Sequence, residues 1–105
     1  MTIMIAQTRF VFPSVTGPQQ LQLRQINFGR TVRNVAVTLQ GFDIRYTNGD
    51  HHVLQESIEV SAFVLGGGVV DVAANLLLRD GSGNIDDPYS GTIDAVVLAD
   101  VVDVV

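Results

Sequence analysis

Asp50, His51 and His52 stand side by side, and Tyr46 lies four positions before them. These residues offer a carboxylate, two imidazoles and a phenol, the groups that bind metals, move protons or grip polar ligands. Their spacing limits the choice. On an extended strand, neighbouring residues point to opposite faces, so His51 and His52 cannot chelate one metal there. Asp50 and His52 share a face, but two ligands do not make a metal site. At a loop tip the same residues could meet a polar ligand. The plainer reading is an exposed turn with one histidine hydrogen-bonded locally. Tyr46 and Tyr89 are the candidates for ligand contact, since a phenol offers both a ring face and a polar tip.

A second group lies in DGSGNIDDPYSG, residues 80–91. Asp80, Asn84, Asp86 and Asp87, with Ser82, bring hard oxygen atoms close together, as calcium requires. The EF-hand pattern fails, because its sixth position is Ile85 and its twelfth is Gly91. The competing reading is a turn-rich connection in which Asp and Asn cap nearby backbone groups. No resident cofactor is expected apart from calcium at this loop.

Enzymatic readings have no motif behind them. The chain has no cysteine, no G-x-S-x-G and no phosphate loop. Gly66-Gly67-Gly68 lacks the lysine and helix of a phosphate cradle. Asp86 and Asp87 are adjacent, which does not set both beside one substrate. The expectation is a protein that is not an enzyme.

Charge is segregated along the 105 residues. All basic residues are arginine. Residues 1–52 hold five arginines against Asp43 and Asp50, a net +3, while residues 53–105 hold Arg79 against nine carboxylates, a net −8. Either the halves pair within one sandwich, or complementary surfaces drive self-association through planar arginine–carboxylate contacts. The net charge of −5 and the lack of a basic stripe argue against nucleic-acid binding. No apolar run approaches the roughly 20 residues that span a bilayer, and MTIMIAQTRF does not read as a signal peptide. A cytoplasmic, bacterial or phage-associated setting is the default, with non-classical export open.

The elements that would position these groups read as strands. Ile3–Phe12 is β-branched and aromatic and ends at Pro13. Leu21 and Leu23 share one phase and Ile26 and Phe28 the other, which suggests a bulge near Arg24-Gln25. Gly29-Arg30 turns the chain. Val35, Val37 and Leu39 form a further apolar row. Phe42, Ile44 and Tyr46 alternate with Asp43, Arg45 and Thr47, and Ile58, Val60 and Ala62 alternate with Ser57, Glu59 and Ser61. Together these last two runs predict a β-hairpin over Gly41–Ala62 with Asn48–His52 at its tip. Gly66-Gly67-Gly68 is a tight connection, followed by Val70–Leu78 and Thr92–Val101. Five phenylalanines (Phe10, Phe12, Phe28, Phe42 and Phe63) are expected in the core. The apolar ends are expected in strands. No segment carries a helical stripe. The whole predicts one all-β domain over 1–105, an antiparallel β-sandwich or jelly-roll-like barrel of seven or eight strands.

From Arg30 to Ala62 the order of elements resembles the H-type lectin domain. An arginine-bearing strand (Val32–Leu39, with Arg30 or Arg33) precedes Gly41-Phe42, then the Asn48–His52 loop, then the alternating strand Glu56–Ala62. The resemblance implies an oligomeric sandwich that binds N-acetylgalactosamine-type sugars, with Asp50, His51 or His52 and an arginine on the sugar hydroxyls. That family's sugar-stacking tryptophan has no counterpart, since the chain has no Trp. Two functions follow as expectations. One is an oligomeric, glycan-binding module working through residues 48–52. The other is a self-assembling structural protein, such as a filament, sheath or phage component.

Overall fold

A computed structural model describes residues 2–16, 20–47, 53–80 and 88–103. Six strands make up the described chain: β1 (Thr2–Val15), β2 (Gln20–Asn27), β3 (Val32–Tyr46), β4 (Val53–Gly66), β5 (Val69–Asp80) and β6 (Tyr89–Val101). They form two antiparallel three-stranded sheets, ordered β1-β6-β3 (sheet I) and β2-β5-β4 (sheet II). The all-β, two-sheet expectation holds. The count is six among the described residues, below the seven or eight expected.

The miscount has a definite origin in β3. Its pairing with β6 passes from Leu39↔Ala95 to Gly41↔Asp94, which leaves Gln40 as an extra residue. A bulge flips the side-chain phase. Val35 and Val37 therefore face the core on odd positions, and Ile44 and Tyr46 on even ones. The phase change between Leu39 and Phe42 looks like two strands in sequence and is one strand with a bulge. A second extra residue, Arg33, lies between Val32↔Val101 and Asn34↔Asp100.

The expected hairpin over Gly41–Ala62 is not formed. β3 pairs with β6 in sheet I, whereas β4 pairs with β5 in sheet II. β3 and β4, consecutive in the chain, thus belong to different sheets. Alternation shows that a strand has one buried face, but not which strand lies beside it. The bulge expected near Arg24-Gln25 is also absent, since β2 keeps an unbroken register from Gln20↔Leu76 to Asn27↔Val69. Its apolar residues fall on both faces. Ile26 packs on the core, while Leu21 and Leu23 are 61% and 54% exposed on the outer side.

The core lies between the central strands. Val70, Val72, Ala74, Leu76 and Leu78 of β5 meet Tyr89, Ile93, Ala95, Val97, Ala99 and Val101 of β6, with Phe10, Phe12 and Phe28 filling the sides. Phe42 and Phe63 are each 49% exposed, so two of the five phenylalanines lie outside the core. Both belong to edge strands, β3 and β4.

The glycine run is a true hairpin turn. Gly66 and Gly67 have φ of 157° and 55°, and Val69 pairs back to Gly66. This turn nests in the β2–β3 corner. Phe28 N–H donates to Gly68 O at 2.9 Å, and Val32 N–H to Gly67 O at 2.8 Å.

Candidate functional site

The sandwich is a rod of 58 × 19 × 17 Å, and its two ends hold different things. At one end lie the β2–β3 corner, the glycine turn and the Thr2↔Val101 pairing. At the other, Val15 pairs with Tyr89, and Tyr89 with Tyr46. There Thr47 N–H donates to Pro88 O at 3.0 Å, and the Ser14 and Thr47 hydroxyls are 2.7 Å apart. These contacts tie together the stems that lead toward residues 48–52 and 81–87.

The predicted site residues divide accordingly. Asp50, His51, His52, Asn84, Asp86 and Asp87 lie outside the described residues. Asp80 is the last residue of β5. Tyr46 is the last residue of β3 and half-buried. Arg33 stands at the opposite end of the same strand, roughly 40 Å away for an extended chain of that length. Its guanidinium donates to Asp100 Oδ1 at 3.1 Å. Arg30 lies in the β2–β3 corner, beside Gly68. The structure therefore does not bring Arg30 or Arg33 to the stem that bears Tyr46. Among the described residues, no three histidines or carboxylates meet as metal ligands.

A different site stands on the outer face of sheet I. Gln7, Thr8, Arg9, Gln40 and Asp94 line an open depression of about 270 Å³. Arg9 of β1 and Asp94 of β6 are cross-strand partners, so their side chains rise from the same face. Arg9 Nε donates to Asp94 Oδ1 at 2.7 Å and Nη2 to Oδ2 at 3.2 Å. This planar double contact holds the guanidinium in place. It lowers the Asp94 carboxyl below its ordinary pKa and raises that of Arg9, in both cases chiefly through the hydrogen bond between them. On the other side of Asp94 the register partner is Gly41. A Cβ there would meet nothing within 4 Å. The bulge contributes Gln40 to the lining.

Sequence reasoning missed this site because its members lie on three strands far apart in the chain. One signal was available: the phase change around Gln40-Gly41, which marks a bulge, and bulges often re-aim side chains at functional places.

Ion pairs among the described residues form both across and within the two halves of the chain, the latter being Arg45 with Asp43. Arg9 and Arg33 from the basic half pair with Asp94 and Asp100 from the acidic half, inside one sandwich.

The described residues define an all-β, sandwich-like fold of two antiparallel three-stranded sheets with a polar depression on one outer face. Comparison with protein-family models, with curated proteins and with solved structures finds no match.

Proposed function

We propose that this protein is a non-catalytic, self-associating β-sandwich whose role is structural, and that copies join through the β2 edge. The observation that carries this reading is the contrast between β2 and the other three edge strands. β1 breaks register between Phe12 and Val15, at Pro13-Ser14. β3 carries bulges at Arg33 and Gln40. β4 shifts register between Val53 and Gln55 and again between Val64 and Gly66. Bulges and prolines are the usual means of blocking edge-to-edge pairing. β2 has neither, and its eight residues run in unbroken register.

β2 also presents exposed aliphatic side chains where a solvated sheet face would be polar, namely Leu21 and Leu23. Arg24 is its one charge, and that guanidinium lies 5.4 Å over the Phe10 ring and donates within β2 itself, to Leu23 O at 3.0 Å and Gln22 Oε1 at 3.3 Å. Two β2 strands meeting antiparallel about a two-fold axis would continue sheet II across the pair and bring Leu21 and Leu23 against their copies.

The test is the mass in solution as a function of concentration, measured by light scattering. The unaltered protein should form dimers or larger species. Leu23→Lys should shift it toward the monomer, because a lysine on an edge strand opposes pairing. Ile5→Lys, on the outer face of the other sheet, should leave association unchanged. A protein that stays monomeric at every concentration, or that dissociates with Ile5→Lys and not Leu23→Lys, would sink the β2 assignment.

A further inference from the structure

The depression on sheet I offers more hydrogen-bonding capacity than the protein itself uses. Gln7 and Gln40 have no hydrogen-bond partner among the described residues, and neither does Nη1 of Arg9. Asp94 accepts one guanidinium contact on each oxygen and keeps further lone pairs. Donors and acceptors are thus mixed. The one guanidinium and the one carboxylate are locked together, so the site has no net charge to offer. An incoming anion would meet Asp94, and an incoming cation would meet Arg9. A neutral ligand with several hydroxyls meets neither objection. Its hydroxyls can donate to Asp94 and the glutamine carbonyls, and accept from Arg9 Nη1 and the glutamine amides.

Size and surroundings narrow the ligand further. At about 270 Å³ the depression falls just below the roughly 300–1,000 Å³ of ordinary small-molecule pockets, room for one small ring. Val11 follows Arg9 on the outer face of β1, and Val96 stands across the ladder, opposite Gln7. Both are aliphatic neighbours of the lining residues on the same outer face, outside the lining itself. Gly41 keeps the third side open, since any larger residue would extend its side chain beside Asp94.

We propose that Gln7, Arg9, Gln40, Asp94 and the opening at Gly41 form a binding site for one neutral pyranose ring. The site is on the opposite sheet from β2, so it stands independently of the proposed association. It contains no aromatic ring, so its affinity for a single sugar is weak, and multiple copies would be needed for tight attachment to a glycan surface.

The experiment is a titration followed by backbone amide resonances, with the methyl pyranosides of glucose, galactose and mannose as probes and inorganic phosphate as the competing anion. At least one glycoside should produce saturable shifts at Gln7, Arg9, Gln40, Gly41 and Asp94. Gly41→Val should abolish these shifts while leaving a dispersed, folded spectrum, because a side chain there enters open space. Gln40→Ala should weaken binding by about tenfold, the loss of one or two hydrogen bonds. If Gly41→Val does not fold, Gln40→Ala together with Gln7→Ala decides the matter. The proposal is overturned if no glycoside gives saturable shifts, if phosphate displaces the glycoside, if binding persists unchanged in these variants, or if the shifts fall around residues 48–52 instead. Any of these results leaves the β2 association untouched, because that is read from mass alone.

Discussion

Gly91, in the central strand of sheet I, lies so close to Asp43 of β3 that a Cβ on it would sit 2.5 Å from the Asp43 carbonyl oxygen. The Ile44 Cα would be 3.0 Å away. Gly91 is bound on both sides, opposite Phe12 of β1 and Ile44 of β3. The backbone of β3 thus occupies the space a side chain would need. Gly91→Ala should destabilise by about 1–3 kcal/mol, the usual cost of overpacking. Gly41→Ala, two strand positions before Asp43 and in open space, should be neutral or stabilise by up to about 1 kcal/mol. Urea denaturation of the two variants checks both. Equal effects would show that β3 leaves room for a side chain beside Gly91.

The glycine turn permits a similar comparison. Gly67 has φ of 55°, a left-handed conformation that costs other residues about 1–2 kcal/mol. Gly68 has no such φ, but a Cβ there would lie 2.8 Å from the Arg30 carbonyl oxygen. Gly67→Ala should therefore lose stability through its own backbone, and Gly68→Ala through the β2–β3 corner it pushes away. Hydrogen exchange separates the two. Only Gly68→Ala should speed exchange at the amides of Phe28 and Val32, which donate into this turn.

Burial sets the scale elsewhere. Ile93 is completely buried between the sheets, whereas Ile5 is 66% exposed on the outer face of sheet I. Ile93→Ala should cost about 2–5 kcal/mol. Ile5→Ala should stay within about 0.5 kcal/mol. Thermal melts in dilute solution measure both. A large loss for Ile5→Ala would show that a neighbouring copy covers this face.

The Arg9–Asp94 pair fixes a pH dependence. Folding lowers the pKa of Asp94, so the unfolded chain takes up its proton first as the solution is acidified. The pair's contribution is therefore complete above the ordinary aspartate value of about 3.9, and is lost as pH falls through the lowered folded value. The stability difference between the unaltered protein and Arg9→Gln should be flat from neutral pH to about 5, and should shrink only in stronger acid. Added salt should reduce it throughout, since Arg9 is 64% exposed. A difference that grows on acidification would mean that folding raises the Asp94 pKa instead of lowering it.

Much of this architecture could be read from particular residues. The alternation of Val70, Val72, Ala74, Leu76 and Leu78, and of Ile93 to Val101, predicts two strands with one buried face each, and these are the two central strands. Local alternation suffices there because burial between two sheets demands it. Gly66-Gly67-Gly68 predicts a tight turn because only glycine enters left-handed φ without strain. The outward leucines of β2 were visible as well, but they mimic a bulge. Aliphatic residues on both faces look like a phase slip when the function of one face is unknown.

The sequence by itself determined the class of the protein. Period-two patterning, turn glycines and the lack of a helical stripe point to an all-β antiparallel fold, a sandwich or jelly-roll-like barrel, because side-chain alternation is a local property of the extended chain. Tertiary structure alone decided which strands are neighbours. It sent β3 and β4 to different sheets, made Gln40 a bulge within β3, and set Arg9 beside Asp94 across 85 positions of sequence. Strand pairing is a long-range choice made by the packing of the whole core, and a polar depression built from three strands exists only once that choice is made.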